Sequence, residues 1–462
     1  MKPRVEGEVR ILTPVGMLGY GIPADDFWRG IEAGADAIVV DSGSTDPGPY
    51  QLGLAETLVK PDAYERDLRL LVQAVSQRRI PLLIGSAGGP GIGAHVDAMV
   101  EQVRTLAREF GRPLKIAAIY ADVDAAVVRA RHEAGRIEPC ASAPSLTLAD
   151  IESSTHIVAQ MGAEPIHEVL RAHPDVDVVI AGRAYDPAPF AALCMLHDID
   201  PGVYWHMGKI MECGGLCAEP KGRVILATVR RDSFDLEPMS PHERCTTASV
   251  AAHTLYEKTR PDRLPGPGGV LDLSGSRYEQ LDARTVRVSG SAFVPSPQYQ
   301  VKLEGAALVG YRTIFIGGIR DPILVGQIDG FLARVRERLA AVFDELRTGA
   351  AQLHFHVYGR NGVMGELEPL KERVPHEVGL LAEVTAQTQR LANAICSQAR
   401  VAVLHMPYPG QLATGGNFAI PLNPPENPIG PVCRFSIYHL MEVESPTELF
   451  PAHIVEDATC QL

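Results

Sequence analysis

The polar residues best placed for chemistry follow short apolar segments that have the character of buried strands. The segment at residues 36–42 (DAIVVDS) runs into a loop with two carboxylates, three hydroxyl groups and two glycines. Such a loop presents amides and hydroxyls to an anion, while a carboxylate serves as a general base or metal ligand. The alternative is a turn whose side chains satisfy their own backbone. The candidate residues here are Asp41, Ser42, Gly43, Ser44, Thr45 and Asp46.

A second candidate loop is rich in glycine and leads directly into a helix. The strand-like residues 81–86 are followed by Ala87, Gly88 and Gly89, and a helix is predicted over 94–110. The amides of Ser86 to Gly89 and the helix N-terminus favour an anionic ligand. His95 lies on the first helical turn, where the dipole favours neutral imidazole suited to hydrogen bonding or proton transfer; the alternative is a partly buried polar cap.

Two further groups combine a cation with a carboxylate. Arg183 and Asp186 follow the strand-like residues 176–182, so Arg183 either clamps a substrate carboxylate or pairs with Asp186 as a structural bridge. The spacing of Lys209, Glu212 and Cys213 fits one helical turn or a tight loop. An amine and a carboxylate at this spacing meet and share proton transfer, or form an ordinary ion pair at a helix end beside a structural cysteine.

Other familiar sites are absent from the sequence or incomplete. The glycine loops contain neither a Walker sequence nor a dinucleotide fingerprint, and there is no Gly-x-Ser-x-Gly elbow, which disfavours nucleotide enzymes and serine hydrolases. Cys213-x-x-x-Cys217 lacks a second pair, and His354-x-His356 lacks an acidic ligand nearby, so no zinc site is predicted. No cofactor is predicted, although Mg²⁺ at Asp41 or Asp46 stays open, because it needs only one or two carboxylates and water.

These loops are positioned by a regular alternation of apolar strands and helices. Strands are predicted at 9–15, 36–42, 81–86, 114–121 and 176–182, and helices at 23–34, 61–79, 94–110, near 123–134 and over a long stretch near 147–172. Continuous apolar strands alternating with helices predict an α/β fold with a mostly parallel, doubly wound sheet. Ligands bind outside the carboxyl ends of such strands, which is where the candidate loops lie.

The rest of the chain has a different pattern. Strand-like pieces at 223–229 and 286–294 and a helix at 329–347 predict a more antiparallel continuation of the first domain. From residue 351 we expect a small α+β C-terminal domain, with a strand at 353–359, a helix near 376–397, a strand at 401–406, an ordered proline-rich loop at 421–431 and a strand at 433–443. The predicted domains are residues 1–348 and 349–462.

Composition limits the classes of function. The 462 residues are 46% hydrophobic and 21% charged, which is typical of a folded protein of about two domains. A formal charge of −13 disfavours nucleic acids and anionic membrane surfaces as partners. Eight widely spaced cysteines indicate reduced thiols, and there is no apolar run of membrane-spanning length or N-terminal signal. We therefore expect a cytoplasmic protein.

Five segments, in chain order, resemble the acyclic terpene utilisation AtuA family. They are residues 41–49 (DSGSTDPGP), 84–89 (IGSAGG), 182–186 (GRAYD), 209–215 (KIMECGG) and 249–257 (SVAAHTLYE). The resemblance runs through most of residues 8–345, and the tail is similar to the family's small C-terminal domain. The family's name comes from bacterial breakdown of citronellol- and geraniol-type compounds, whose intermediates are branched acyl-CoA thioesters. The resemblance thus implies catabolism without naming a reaction.

The leading hypothesis is a lyase of hydratase or dehydratase type, acting on a small carboxylate or a branched acyl-CoA. In it Asp41, Asp46 and Glu212 are the acid/base groups, Lys209 or Arg183 stabilises an enolate, and the amides of Ser86 to Gly89 hold the anion. The alternative is a non-catalytic accessory subunit that binds acyl-CoA or a carboxylate in the same loops. A divalent-metal enzyme centred on Asp41 and Asp46 is the third hypothesis, and a homo-oligomer is the expected assembly.

Overall fold

The structure is a computed structural model that describes residues 7–256, 260–415 and 417–456. The chain divides into two compact units: unit 1 holds the described residues up to Ala307 and from Phe435 onward, and unit 2 runs from Leu308 to Arg434. Glu257, which ends one of the five segments above, and Cys460 lie outside the described residues.

The strands in chain order are β1 (Val9–Thr13), β2 (Ala37–Asp41), β3 (Leu82–Gly85), β4 (Ile116–Ile119), β5 (Ile137–Pro139), β6 (His156–Gln160), β7 (Val178–Ala181), β8 (Ala218–Glu219), β9 (Ile225–Val229), β10 (Ser233–Pro238), β11 (Arg244–Cys245), β12 (Arg263–Gly266), β13 (Gly269–Asp272), β14 (Arg277–Gln280), β15 (Val286–Ser289), β16 (Ala292–Pro295), β17 (Gln300–Ile319), β18 (Ala351–Tyr358), β19 (Val378–Ala386), β20 (Asn427–Glu442) and β21 (Ala452–Val455).

The α-helices are α1 (Ala24–Glu32), α2 (Tyr50–Leu54), α3 (Pro61–Arg78), α4 (Gly93–Glu109), α5 (Ala125–Glu133), α6 (Leu148–Ser153), α7 (Glu164–Ala172), α8 (Ala188–Cys194), α9 (Pro201–Met211), α10 (Thr247–Leu255), α11 (Pro322–Val325), α12 (Ile328–Ala340), α13 (Asp344–Thr348) and α14 (Gln389–His405). Short 3-10 helices lie at Gly214–Cys217 and Gly365–Leu367. None of the helices within the described residues is long and apolar enough to cross a membrane.

Unit 1 is built on a ten-stranded mixed sheet. Its strand order is β14-β15-β10-β9-β1-β2-β3-β7-β4-β21. The five central strands, β1, β2, β3, β7 and β4, run parallel to one another, and the outer strands on both sides are antiparallel. The predicted α/β class with a large sheet is therefore confirmed, with the antiparallel continuation after residue 220 supplied by β9 and β10.

The central sheet is buried on both faces, which explains its continuous apolar strands. On one face, Ile11, Val39 and Leu83 pack with α7, α8 and α9 in one core cluster. On the opposite face, Leu12 and Ile38 pack with α1, α3 and α4 in another. Helix α4 shows the predicted three/four spacing of buried residues, at Val96, Met99, Val100, Val103, Leu106 and Ala107.

A second set of strands in unit 1 brings distant parts of the chain together. Strand β6 pairs antiparallel with the first part of β17, with Gln160 opposite Lys302 and Val158 opposite Glu304. Strand β5 pairs with the last residues of β20. This pairing places the first part of β17 inside unit 1, where its charged residues contribute to the site described below.

In unit 2, β19 pairs antiparallel with both β18 and the second part of β17. Helices α12 and α14 bury Phe331, Val335, Ile395 and Ala399 with Phe315 in one core. Residues 308–348, assigned by sequence to the first domain, lie in unit 2, and residues 435–456, assigned to the second, lie in unit 1.

The single helix predicted near 147–172 is wrong. The structure has α6, strand β6 and then α7 over this stretch. The Ser154 hydroxyl donates to the Asp150 carbonyl 2.8 Å away, and Ser154 itself adopts extended backbone, which ends α6. The β-branched residues that follow then find a partner in β17, and this pairing overrides the local helical pattern.

Three element boundaries in unit 2 also differ from the prediction. The helix predicted near 376–397 is instead strand β19, whose residues alternate between buried and half-buried, followed by α14. The residues 401–406 predicted as a strand belong largely to α14, because Ala402 and Val403 continue its buried face. The helix predicted at 329–347 is two helices, interrupted at Phe343, whose backbone is extended and whose ring packs against the unit 2 core.

Candidate functional site

The carboxyl ends of four parallel strands form the candidate site. Strands β1, β2, β3 and β7 end at Thr13, Asp41, Gly85 and Ala181, and the predicted loops follow three of them. Thr13 and Asp41 lie on the sheet face that carries Ile11 and Val39, which is the face covered by α8 and α9. The helices therefore close over the same edge at which the polar loops begin.

Asp41 is the central carboxyl group of this edge. Its side chain is almost entirely buried; Oδ2 accepts the Gly43 amide at 3.0 Å, and Oδ1 has no hydrogen-bond partner. Burial raises the pKa of Asp41 well above its ordinary value, the negative charge of Asp186 adds to the rise, and Arg183 opposes it. Gly85 makes room for this carboxyl, since a Cβ there would lie 3.3 Å from Asp41 Oδ1.

Arg183 is buried, and each of its three guanidinium nitrogens donates to a protein group. Its Nε donates to Glu304 at 2.9 Å, and Nη1 donates to Asp186 at 3.1 Å, to the Ala184 carbonyl at 2.8 Å and to Ser86 Oγ at 3.2 Å. Of the two roles predicted for Arg183, the structure contains the bridge to Asp186 and adds a second carboxylate. In this conformation the guanidinium holds the site together.

Glu304 and Lys302, on β17, are functional neighbours that sequence reasoning missed. Lys302 Nζ lies 2.7 Å from Glu304, so one buried carboxylate serves two cations. Burial opposes the charge of Glu304, but Arg183 and Lys302 lower its pKa to about 2. The signal available in the sequence was a Lys-x-Glu pair inside the otherwise apolar run VKLEGAALV.

Three of the four amides predicted to hold an anion donate hydrogen bonds to backbone carbonyl groups. The Ser86 amide donates to the Gly182 carbonyl at 3.1 Å, the Ala87 amide to Ala181 at 2.9 Å, and the Gly89 amide to Ser86 at 2.8 Å. Ser86 also has a φ of 51°, a left-handed conformation that costs a non-glycine residue energy and is often found at functional sites. In this conformation three of the four amides have no hydrogen left for a substrate.

The loop after β2 combines a turn with buried hydroxyl groups. The Gly48 amide closes a turn on the Thr45 carbonyl at 2.9 Å, and the Asp46 amide donates to Ser44 Oγ at 3.2 Å, as the turn alternative predicts. Asp46 itself is exposed, while Ser42 is buried and its Oγ has no partner. Only part of the loop is therefore explained by a self-satisfied turn.

Asp186 connects this loop electrostatically to the rest of the edge. Burial raises the pKa of Asp186; the charge of Arg183 lowers it, the charge of Asp46 raises it, and that of Lys209 lowers it. Asp41, in turn, responds to Asp186 and Glu212. The structure therefore brings Asp186, Arg183 and Glu212 within electrostatic reach of Asp41, and Arg183, Asp46 and Lys209 within electrostatic reach of Asp186.

Lys209 and Glu212 meet as their spacing predicts. Lys209 Nζ donates to Glu212 Oε1 at the C-terminal end of α9, and both side chains are buried. Cys213 follows directly, and its backbone lies against Gly16 in the loop after β1, since a Cβ on Gly16 would lie 2.6 Å from the Cys213 carbonyl oxygen. The ion pair is thus held over the carboxyl edge by close backbone packing.

His95 lies beneath the glycine-rich loop. Its Nε2 donates to the Ala55 carbonyl at 3.0 Å, its Nδ1 has no partner, and a Cβ on Gly88 would lie 2.7 Å from the ring. Burial lowers the pKa of His95 and so favours the neutral ring. The neutral imidazole that we expected at this position is therefore also favoured by burial.

The described residues contain no group of three or more His, Cys, Asp or Glu arranged to hold a metal ion, and none of their cysteines forms a disulfide. Cavities of about 640, 550 and 260 Å³ lie elsewhere and are lined by none of the predicted site residues. The candidate site is identified by sheet topology and by its buried polar groups.

Comparison with known proteins supports the resemblance seen in the sequence. Residues 58–221 and 237–422 match the family described as acyclic terpene utilisation family protein AtuA. These ranges include Ser86 to Gly89, Arg183, Asp186 and the Lys209–Glu212 pair, while the loop at 41–49 precedes them. No match was found among curated proteins or solved structures. Because the matched ranges cover well over half of its residues, the chain belongs to the acyclic terpene utilisation AtuA family.

Proposed function

We propose that this protein is a lyase of hydratase or dehydratase type that acts on a small carboxylate or a branched acyl-CoA thioester during acyclic terpene utilisation. Family membership indicates the role in terpene utilisation. The observation that carries the chemistry is the buried Asp41, whose pKa is raised, within electrostatic reach of the Lys209–Glu212 pair. Two carboxyl groups in such different environments suit the roles of general acid and general base.

In the dehydration direction, the Glu212 carboxylate removes the proton on the carbon next to the carbonyl. The electron pair moves to the carbonyl oxygen, and the Lys209 ammonium stabilises the resulting enolate. The enolate then re-forms the carbonyl as the carbon–oxygen bond of the hydroxyl breaks. The Asp41 carboxylic acid gives its proton to the departing oxygen, so the products are water and an unsaturated acyl group. Proton exchange with solvent returns Glu212 and Asp41 to their starting states.

The test is turnover of a branched 3-hydroxyacyl-CoA by the purified full chain, followed by appearance of the unsaturated thioester. We expect Asp41→Asn and Glu212→Gln each to lower kcat by about 100-fold or more, which is the usual range for a general acid or base. Glu65→Gln, on the exposed surface of α3, is the matched control and should leave kcat unchanged. Normal kcat in both site variants would contradict the proposed roles.

The same assay separates the other hypotheses. A thioester that binds without turnover, together with a stoichiometric partner recovered from cells, would favour the accessory subunit. Turnover that disappears on dialysis against EDTA and returns with Mg²⁺ would favour a metal at Asp41 or Asp46. Our proposal, which includes a cytoplasmic homo-oligomer, expects turnover without added metal and a sedimentation mass above that of one chain.

A further inference from the structure

We infer that the carboxyl-edge cluster binds the reacting end of its substrate as an uncharged group, a thioester carbonyl with a neighbouring hydroxyl, and rejects the corresponding free carboxylic acid. The cluster consists of Thr13, Asp41, Arg183, Asp186, Lys209, Glu212, Lys302 and Glu304. This inference rests on the proposed function and narrows its substrates to thioesters. Two observations together support it. The positive charges of the cluster are already compensated by carboxylates of the protein, and two buried polar atoms of the cluster have no hydrogen-bond partner.

The positive charges of the cluster are matched by carboxylates of the chain itself. Arg183 is shared between Glu304 and Asp186, and Lys302 also binds Glu304. Lys209 is paired with Glu212. A substrate carboxylate would have to displace one of these pairs and leave a buried protein carboxylate uncompensated, which is strongly unfavourable.

The neighbouring charges and amides also disfavour an anion. A carboxylate placed beside Asp41 would meet the negative charges of Asp186 and Glu212, which already act on Asp41 itself. The amides of Ser86 and Ala87, which could have offset this repulsion, donate to backbone carbonyls. Like charges in a buried, low-dielectric setting repel more strongly than in water.

By contrast, the edge offers unpartnered atoms that suit a neutral oxygen. Thr13 Oγ1 and Asp41 Oδ1 are buried without a hydrogen bond, on adjacent parallel strands and on the same sheet face. The register puts Asp41 two residues beyond the neighbour of Thr13, so their Cα atoms are about 8 Å apart. A small group with two oxygens bridges such a separation, and an uncharged one adds no charge that the site would have to compensate.

A matched pair of probes tests the inference on the full chain at neutral pH. The probes are a branched 3-hydroxy acid and its N-acetylcysteamine thioester, compared by thermal shift at equal concentration. We expect the thioester to raise Tm and the free acid to leave it unchanged. If the acid stabilises the protein as well as the thioester does, the inference is overturned while the lyase proposal stands. If neither probe nor the full CoA thioester binds, the proposed function fails together with the inference.

A pair of isosteric variants tests the position of the bound group. Thr13→Val removes a buried hydroxyl that has no partner in the chain, and Thr285→Val removes another such hydroxyl near β15, away from the carboxyl edge. Both variants should fold normally, because neither loses an internal hydrogen bond. By calorimetric titration we expect Thr13→Val to weaken thioester binding about fivefold, the value of one hydrogen bond, and Thr285→Val to leave it unchanged. Equal affinities in both variants would overturn the inference.

Discussion

Glu304→Gln is expected to destabilise unit 1 strongly, because Glu304 is the only carboxylate that the described contacts show bridging two buried cations at this edge. Its side chain is fully buried, with Arg183 Nε at 2.9 Å and Lys302 Nζ at 2.7 Å. Glutamine keeps the size and part of the hydrogen bonding but removes the charge. Both cations then remain in the interior without full compensation.

The size of the effect follows from the pKa of Glu304. Its fall from 4.5 to about 2 corresponds to about 3 kcal/mol of preferential stabilisation of the ionised form in the folded state. No reduction for solvent screening is needed, because the side chain is not exposed. Since the folded pKa lies below the unfolded one, this contribution is present above about pH 4.5 and is lost as the pH falls toward 2. At pH 7 we therefore expect Glu304→Gln to cost about 3 kcal/mol.

Equilibrium urea unfolding followed by tryptophan fluorescence measures this cost. The two tryptophans of the chain, Trp28 and Trp205, both lie in unit 1, so their signal reports the unit that contains Glu304. The matched control is Glu442→Gln, which removes a more exposed carboxylate that pairs with Arg136 at 3.2 Å in the same unit. That substitution should cost less than about 1 kcal/mol.

The reasoning would be refuted by equal, small losses in the two variants. That result would mean that Arg183 and Lys302 are compensated by other groups when the Glu304 charge is removed. A double variant adds a second check: Lys302→Met in the Glu304→Gln background removes one of the two uncompensated cations. It should therefore recover part of the lost stability, whereas Lys302→Met alone should destabilise the protein.

Two further substitutions probe the loops of the site. Asp41→Asn should raise Tm at pH 7, because it removes the free-energy cost of ionising a buried carboxyl group whose pKa is raised. Thermal scans should show that this gain in Tm vanishes below about pH 3.8, where Asp41 is protonated in both the folded and the unfolded wild-type protein. Gly88→Ala should destabilise the protein by about 3 kcal/mol or more, because the added Cβ would clash with the His95 ring. Gly111 has nearly the same φ but open space around its Cβ, so Gly111→Ala should cost only about 1 kcal/mol. Equal losses of stability in urea unfolding would show that the contact with His95 does not matter.

The placement of the candidate loops at one edge was predictable because it depends on a general property of parallel sheets. Five apolar strands alternate with helices, and their carboxyl ends must share one edge. The loops that begin at Asp41, Ser86 and Arg183 therefore lie at one edge whatever the strand order, and the order β2-β3-β7 makes them neighbours. The Lys209–Glu212 pair was predictable for a local reason, since residues three apart on a helix are neighbours.

The hydrogen bonds that the glycine-loop amides donate to backbone carbonyls were not predictable, because they depend on strand order. Strand β7 lies beside β3, while β4, which precedes β7 in the chain, lies beyond it. This order places the carbonyls of Ala181 and Gly182 against the amides of Ala87 and Ser86. From the sequence alone those amides looked free, because nothing in residues 85–93 indicates which strand will be their neighbour.

Arg183 shows why the two roles predicted for it were too few. In the sequence, the carboxylate nearest to Arg183 is Asp186, three residues away. The two roles considered were therefore a bridge to Asp186 and a clamp on a substrate carboxylate. The decisive partner, Glu304, is 121 residues away and reaches Arg183 only because β6 recruits β17 into unit 1. Because β6 lies within a stretch predicted as one helix, its pairing with β17 was not predicted. The contact between Glu304 and Arg183 could therefore not be predicted either. The candidate acids and bases Asp41, Asp46 and Glu212 lie at the end of β2, in the loop after it and at the end of α9, whereas the carboxylate that orients Arg183 comes from β17. A search restricted to the sequence motifs would therefore identify the candidate acids and bases without Glu304.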